Sequence, residues 1–196
     1  MISESLKIIF IHVNKTGGTS VSVALRPWER LPKLAEDHDS ALTVRAAIND
    51  AGMCFKDFWS FAVVRNPWDR IVSSFQYRKQ RLLPPNPQHL PEDTDFTRWL
   101  VDVVQPNKGN MEWSDQSRML EDRAGRVIVD EIFKFEEIDE AWKRITGRLG
   151  LALHLPHANK TNRKDYRSYY TDQTAQIVAD RFPKDISRFG YNFDPS

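Results

Sequence analysis

Two unbroken apolar runs organise the first third of the chain. Residues 7–13 are apolar nearly throughout, centred on Ile8-Ile9-Phe10-Ile11, and Phe58-Trp59-Ser60-Phe61-Ala62-Val63-Val64 repeats the pattern. A run without polar alternation predicts a strand buried on both faces, the usual lot of a strand inside a parallel sheet. Each run passes at once into helix-like spacing. After the first, a helix is expected from Thr19 or Ser20 to about Leu25, where Pro27 disfavours continuation. After the second, an amphipathic helix is expected to about Leu82. Asn66 suits its N-cap, Pro67 the first helical position and Asp69 the positive end of the dipole.

Between the two strands, Asp39 or Ser40 is expected to cap a helix with Leu42, Ala46, Ala47 and Ile48 inward and Gly52 past its end. Residues 83–91 hold four prolines and predict a surface loop. Thr94 or Asp95 restarts a helix that keeps Phe96, Trp99, Leu100 and Val103 on one side, closed by Pro106. Residues 126–133 read as a strand rich in β-branched side chains. Residues 137–149 repeat Ile138, Trp142, Ile145 and Leu149 at helical spacing. Residues 154–166 read as a polar, basic loop, and Thr171 caps a last long helix ending at Phe182, before Pro183. Strands alternating with helices predict an α/β sandwich with a mainly parallel sheet, built as a single domain over residues 1–196. In such folds phosphate groups bind beyond the carboxyl ends of strands, where both strand-to-helix turns lie.

Composition narrows the partners. Hydrophobic residues make up 40% and charged residues 28%, ordinary values for a globular chain. A formal net charge of +1 gives no global attraction to nucleic acid or an anionic membrane. The lone cysteine, Cys54, excludes an internal disulfide framework and a multi-cysteine metal site, and is expected to be buried and inert. The first strand pattern begins within a few residues of Met1, with no basic leader and no run long enough to cross a bilayer. A cytoplasmic location is the expectation.

The chemistry gathers at the two turns. Lys15-Thr16-Gly17-Gly18-Thr19-Ser20 joins a lysine, two glycines and three hydroxyls to a helix start. Exposed N–H groups there attract anions, and glycine permits close approach to the backbone. A Walker loop places lysine after its glycines, whereas Lys15 precedes Gly17 and Gly18. The segment resembles the 5′-phosphosulfate loop of sulfotransferases, H-I-P-K-T-G-G-T-S, with Asn14 in place of proline. The block Arg65-Asn66-Pro67-Trp68-Asp69-Arg70-Ile71-Val72-Ser73 resembles the same family's 3′-phosphate motif, R-N-P-[YW]-[DE]-R-[LI]-V-S. Softer likenesses run through Gln116-Ser117-Arg118-Met119-Leu120, Phe135-Glu136-Glu137-Ile138, residues 159–166 and residues 185–193.

The resemblance implies a P-loop-like three-layer sandwich. It also implies transfer of a sulfuryl group from 3′-phosphoadenosine 5′-phosphosulfate to a hydroxyl or amine of a carbohydrate, glycolipid or small molecule. Lys15 would stabilise the leaving 5′-phosphate, with Thr16, Gly17, Gly18, Thr19 and Ser20 around it. Arg65 and Ser73 would hold the 3′-phosphate, with Asn66 and Arg70 on the same helix face as Ser73, and Lys160 and Arg163 would close over the nucleotide. His38 is the candidate general base, the residue type best suited near neutral pH, with Glu36, Asp37 and Asp39 as substitutes. The bland alternative for His38 is a solvated helix-start residue. His12 faces either the core or the loop by strand alternation, with the core favoured, and His89 is expected to be exposed. His154 and His157 stand in the basic loop. Trp28, Trp68 and Trp113 serve either as core or as stacking platforms. No metal motif is present, and the family reaction needs none. Two other classes compete: a P-loop kinase or NTPase, which lacks support from a Walker-B aspartate, and a non-catalytic nucleotide-binding protein.

Overall fold

The protein is described by a computed structural model covering residues 1–28, 34–104, 114–156 and 163–194. It is a mixed α/β fold around one four-stranded sheet of order β1-β2-β3-β4. β1 (Ile2–Ser3) pairs antiparallel with β2 (Ile8–Ile11), while β2, β3 (Trp59–Val64) and β4 (Glu131–Lys134) are parallel. The chain divides into two compact units, residues 1–65 with 116–158 and residues 66–115 with 159–196.

The first unit holds the whole sheet, with α1 (Gly18–Leu25), α2 (Ala41–Asp50), α5 (Gln116–Leu120) and α6 (Ile138–Leu149). Val21 and Leu25 of α1 and Ala141, Trp142 and Ile145 of α6 share a core with Ile8, Phe10, Phe61, Val63 and Phe133. The alternate strand residues Ile9, Ile11, Ala62 and Val64 are buried too. Both faces of the central strands are therefore covered, as their unbroken apolar runs require. Ser60 and Asp130 tie β3 to the approach of β4: Ser60 N–H and Oγ both donate to one Asp130 carboxylate oxygen at 2.7 Å.

The second unit contains α3 (Pro67–Gln80), α4 (Phe96–Trp99), α7 (Asp172–Arg181) and α8 (Pro183–Phe189). Its interior is aromatic. Phe75 meets Phe96 edge-on at 5.2 Å, Phe96 meets Tyr170 at 5.0 Å, and Phe193 meets both Trp68 and Tyr170. Two polar tips find carbonyls: Trp68 Nε1 donates to Ala175 at 2.8 Å and Tyr170 Oη to Trp68 at 2.9 Å. Complete burial pushes the Tyr170 hydroxyl well above its ordinary range, so it stays a donor. Trp68 is thus core rather than an exposed platform.

Several expectations need correction. The strand expected over residues 126–133 is confined to Glu131–Lys134, and Val127 makes only an isolated bridge to Glu121. The tight turn from Asp122 to Arg126, closed by the Asp122 carboxylate, takes the preceding residues. α2 buries Ala41, Val44 and Ile48, a register rotated from the expected Leu42, Ala46, Ala47 face because Ser40, which accepts from Thr43 N–H, fixes the start. Residues 116–120 form the short helix α5. The helix capped by Thr171 ends at Phe182 as expected, but it is not the last: Pro183 starts α8, since proline is welcome at a first helical position. Cys54 is exposed, because Phe55 beside it takes the interior position. His89 is half-buried, its Nδ1 bound to the Leu82 carbonyl at 2.7 Å. Val103 side-chain placement, Pro106, Trp113, His157 and Lys160 lie outside the described residues. No described helix is long and apolar enough to cross a membrane.

Candidate functional site

The chain leaves β2 through Val13 and turns at Lys15, Thr16 and Gly17 into α1. Lys15 and Gly17 both adopt left-handed backbone conformations, at φ 65° and 80°. For lysine this costs on the order of 1 kcal/mol, and glycine takes it freely. Buried Thr16 steadies the turn by donating its hydroxyl to the Val13 carbonyl at 2.9 Å. α1 starts with neither a side-chain cap nor an acidic residue in its first turn. The positive end of the helix dipole and its backbone donors therefore meet no side-chain anion of their own. Thr19 is exposed at this start, while Gly18 and Ser20 are buried.

Arg65 follows β3 in the same unit and is only 6% exposed. Its Nη1 donates to the Lys15 carbonyl at 3.2 Å, so the arginine is bonded to the loop itself. The guanidinium lies 4.1 Å from the ring centre of Phe135, a cation–π contact. Phe135 also backs Gly17, where an added Cβ would lie 2.6 Å from the ring. Gln116 clamps the Arg65 backbone from both sides. Its Oε1 accepts from Arg65 N–H and its Nε2 donates to the Arg65 carbonyl, each at 2.8 Å. Sequence reasoning gave neither Phe135 nor Gln116 a role. Both stood inside segments with family likeness, but nothing in their spacing tied them to Arg65.

His38 joins this group through the loop before α2. Its Nδ1 lies 2.9 Å from the His12 carbonyl. A carbonyl only accepts, so Nδ1 carries the proton and Nε2 of the neutral ring keeps its lone pair. The orienting partner is therefore a main-chain oxygen, not one of the neighbouring acids. Of those, Asp39 accepts from Glu36 N–H at 2.7 Å, and Glu36 and Asp37 are exposed. His38 itself has φ 70°, an uncommon state for a residue with a side chain.

His12 is half-buried between Phe10, His38 and the start of α1. Its ring centre is 5.7 Å from Phe10 and 4.4 Å from His38, and a Cβ on Gly18 would fall 2.1 Å from its Cδ2. Burial, then the adjoining His38 ring, lower its pKa to about 4. The either-or reading of His12 resolves as both, a ring packed inward and set under the ligand loop.

The remaining candidates lie in the second unit. Ser73 is half-buried on α3. Arg70 is buried and engaged within its unit, 3.7 Å from the Asp185 carboxylate and donating to the Ser114 carbonyl at 2.8 Å. That fork serves the packing of α3. Arg163 forms a 2.6 Å ion pair with Asp69. Trp28 is half-buried in a short turn after α1, and His154 is exposed. Among the described residues no group of three or more acidic, histidine or cysteine side chains is arranged to hold a metal ion.

Arg65 and the uncapped start of α1 thus meet at the Lys15 turn. Residues 1–192 match the sulfotransferase family model, through segments of both units. No significant match was found among curated proteins or among solved structures. With nearly its whole length matched, the chain belongs to the sulfotransferase family.

Proposed function

We propose that the protein transfers a sulfuryl group from 3′-phosphoadenosine 5′-phosphosulfate to a hydroxyl or amine of a carbohydrate, glycolipid or small molecule. The observation that carries this reading is the Lys15 loop, with its uncapped α1 start and the buried Arg65 bonded to the Lys15 carbonyl. The donor set suits the phosphates of such a nucleotide, which when bound supplies the sulfuryl group and departs as the 3′,5′-bisphosphate. Lys15 neutralises charge on the leaving 5′-phosphate oxygen, aided by N–H groups from Thr16 to Ser20. His38 Nε2 takes the proton from the acceptor as its oxygen or nitrogen attacks sulfur. Arg65 and Ser73 are assigned to the 3′-phosphate, and Lys160 and Arg163 to the nucleotide. For Arg163 this means exchanging its Asp69 partner for phosphate. Residues 1–196 are proposed to act as one cytoplasmic sulfotransferase domain with a P-loop-like three-layer build.

Isothermal titration tests the donor. The 3′,5′-bisphosphate should bind at least about tenfold more tightly than AMP or ATP, since each well-made charged contact is worth about 1.5–3 kcal/mol. Arg65→Lys, which lacks the planar fork, should erase most of that preference. Equal affinity for the three nucleotides would remove the 3′-phosphate from the reading.

A further inference from the structure

His38 is held by His12 in two ways. The His12 main-chain oxygen, 2.9 Å away, accepts from His38 Nδ1, and the two rings face each other at 4.4 Å. The same His12 ring supports the first residue of α1: Gly18 lies so close that a Cβ would sit 2.1 Å from Cδ2 and 2.5 Å from Nε2. Gly18 shows no left-handed φ, so its missing side chain answers to the ring beneath it rather than to backbone conformation. His12 Nδ1 is buried and finds no hydrogen-bond partner among the described residues. A histidine retained for its own hydrogen bonds would have satisfied that atom. What His12 supplies is a flat ring and a carbonyl.

We propose that His12 is a positioning residue for the candidate base: it fixes the Nδ1–H form of His38 and spaces its ring from the anion loop at α1. This deepens the sulfuryl-transfer reading and rests on His38 as its base. The ring is suited to the task because it stays uncharged. Burial and the His38 ring disfavour its proton, as does the Met1 amino group, while Asp37 pulls weakly the other way. A cation appearing on His38 after proton abstraction therefore meets a neutral neighbour. His12 touches no reacting atom in this scheme, and its effect passes through His38 and Gly18.

The test combines imidazole NMR with kinetics on the full chain. In protein carrying 15N-histidine, two-bond 15N–1H spectra should show neutral His38 as the Nδ1–H tautomer and His12 uncharged above about pH 5. His12→Phe keeps a flat ring and the carbonyl, so it should preserve the His38 tautomer, with turnover within about threefold of wild type. His12→Ala also keeps the carbonyl but removes the ring, so it should leave the His38 tautomer in place and lower kcat by about 10²-fold with little change in bisphosphate affinity, the cost expected of a misplaced catalytic group. Gly18→Ala should be harmful alone and clearly less so when His12→Ala makes room for the new methyl. An Nε2–H tautomer in the wild-type protein overturns the proposal, as does a His12→Ala protein with unchanged kcat. The tautomer is read without any turnover, so it decides the positioning role even if no sulfuryl transfer is found. Should a variant fail to fold, the wild-type spectrum still decides.

Discussion

Two parallel strands in this molecule run into helices, β2 into α1 and β3 toward α3, and the two helix starts are finished in opposite ways. α3 satisfies itself. Asn66 Oδ1 accepts from the N–H groups of Trp68 and Asp69, Pro67 removes a donor, and the Asp69 carboxylate sits in the first turn. Asp69 is in turn paired with Arg163. α1 has none of this: its N-cap is Gly17, with no side-chain bond and no acid in the first turn. A strand, a tight turn and a helix therefore do not by themselves make an anion site. What differs is what has been left off the helix start.

The sharpest way to break this contrast is to remove the charge beside the open start. Lys15→Ala should lower kcat by about 10²–10³-fold, the usual cost of one donor to developing charge, with a smaller loss of bisphosphate affinity. Unchanged turnover would take Lys15 out of the chemistry. Next in size is an acid effect centred under α1. The His12 pKa is about 4 in the folded protein against 6.5 in the unfolded chain, so the unfolded chain binds the extra proton between these values. The resulting stability is fully present above pH 6.5 and is lost as pH falls toward 4. The loss at pH 4.5 should be about 2–3 kcal/mol, from 1.36 kcal/mol per unit. Urea unfolding at pH 7 and 4.5 measures it, and His12→Phe should flatten the difference. The smallest effect comes from giving α1 what α3 already has. Thr19→Asp puts an acid in the first turn of α1, and should add about 0.3–1 kcal/mol of stability while weakening bisphosphate binding several-fold. Tighter binding would show that the helix start does not face the anion.

Much of the frame was legible in the chain. Unbroken apolar runs marked β2 and β3, and Asn66, Ser40, Asp95 and Thr171 were readable as caps because their hydrogen bonds are local. The turn from β2 into α1 was legible for the same reason, lying in consecutive residues. What failed was what depends on distant partners. β1 is too short to show a period and exists by pairing with β2. The start of β4 is set by Asp130 meeting Ser60, seventy positions away. The hydrogen-bond partner of His38 is a carbonyl 26 residues back. Phe135 and Gln116 were visible only as family-like letters. Their contacts with Gly17 and Arg65 require the sheet to be assembled first.

Gln116 imposes a narrow tolerance on evolution at that position. At the point where the chain quits β3, its amide acts as a substitute peptide, giving Arg65 the acceptor and the donor that a neighbouring strand would have offered. Among the twenty amino acids no other side chain offers both an acceptor and a donor at this reach. Asparagine is one carbon too short, and glutamate keeps the shape but turns an oxygen toward an oxygen. Drift can rewrite much of the surrounding surface, but this one side chain has no synonym.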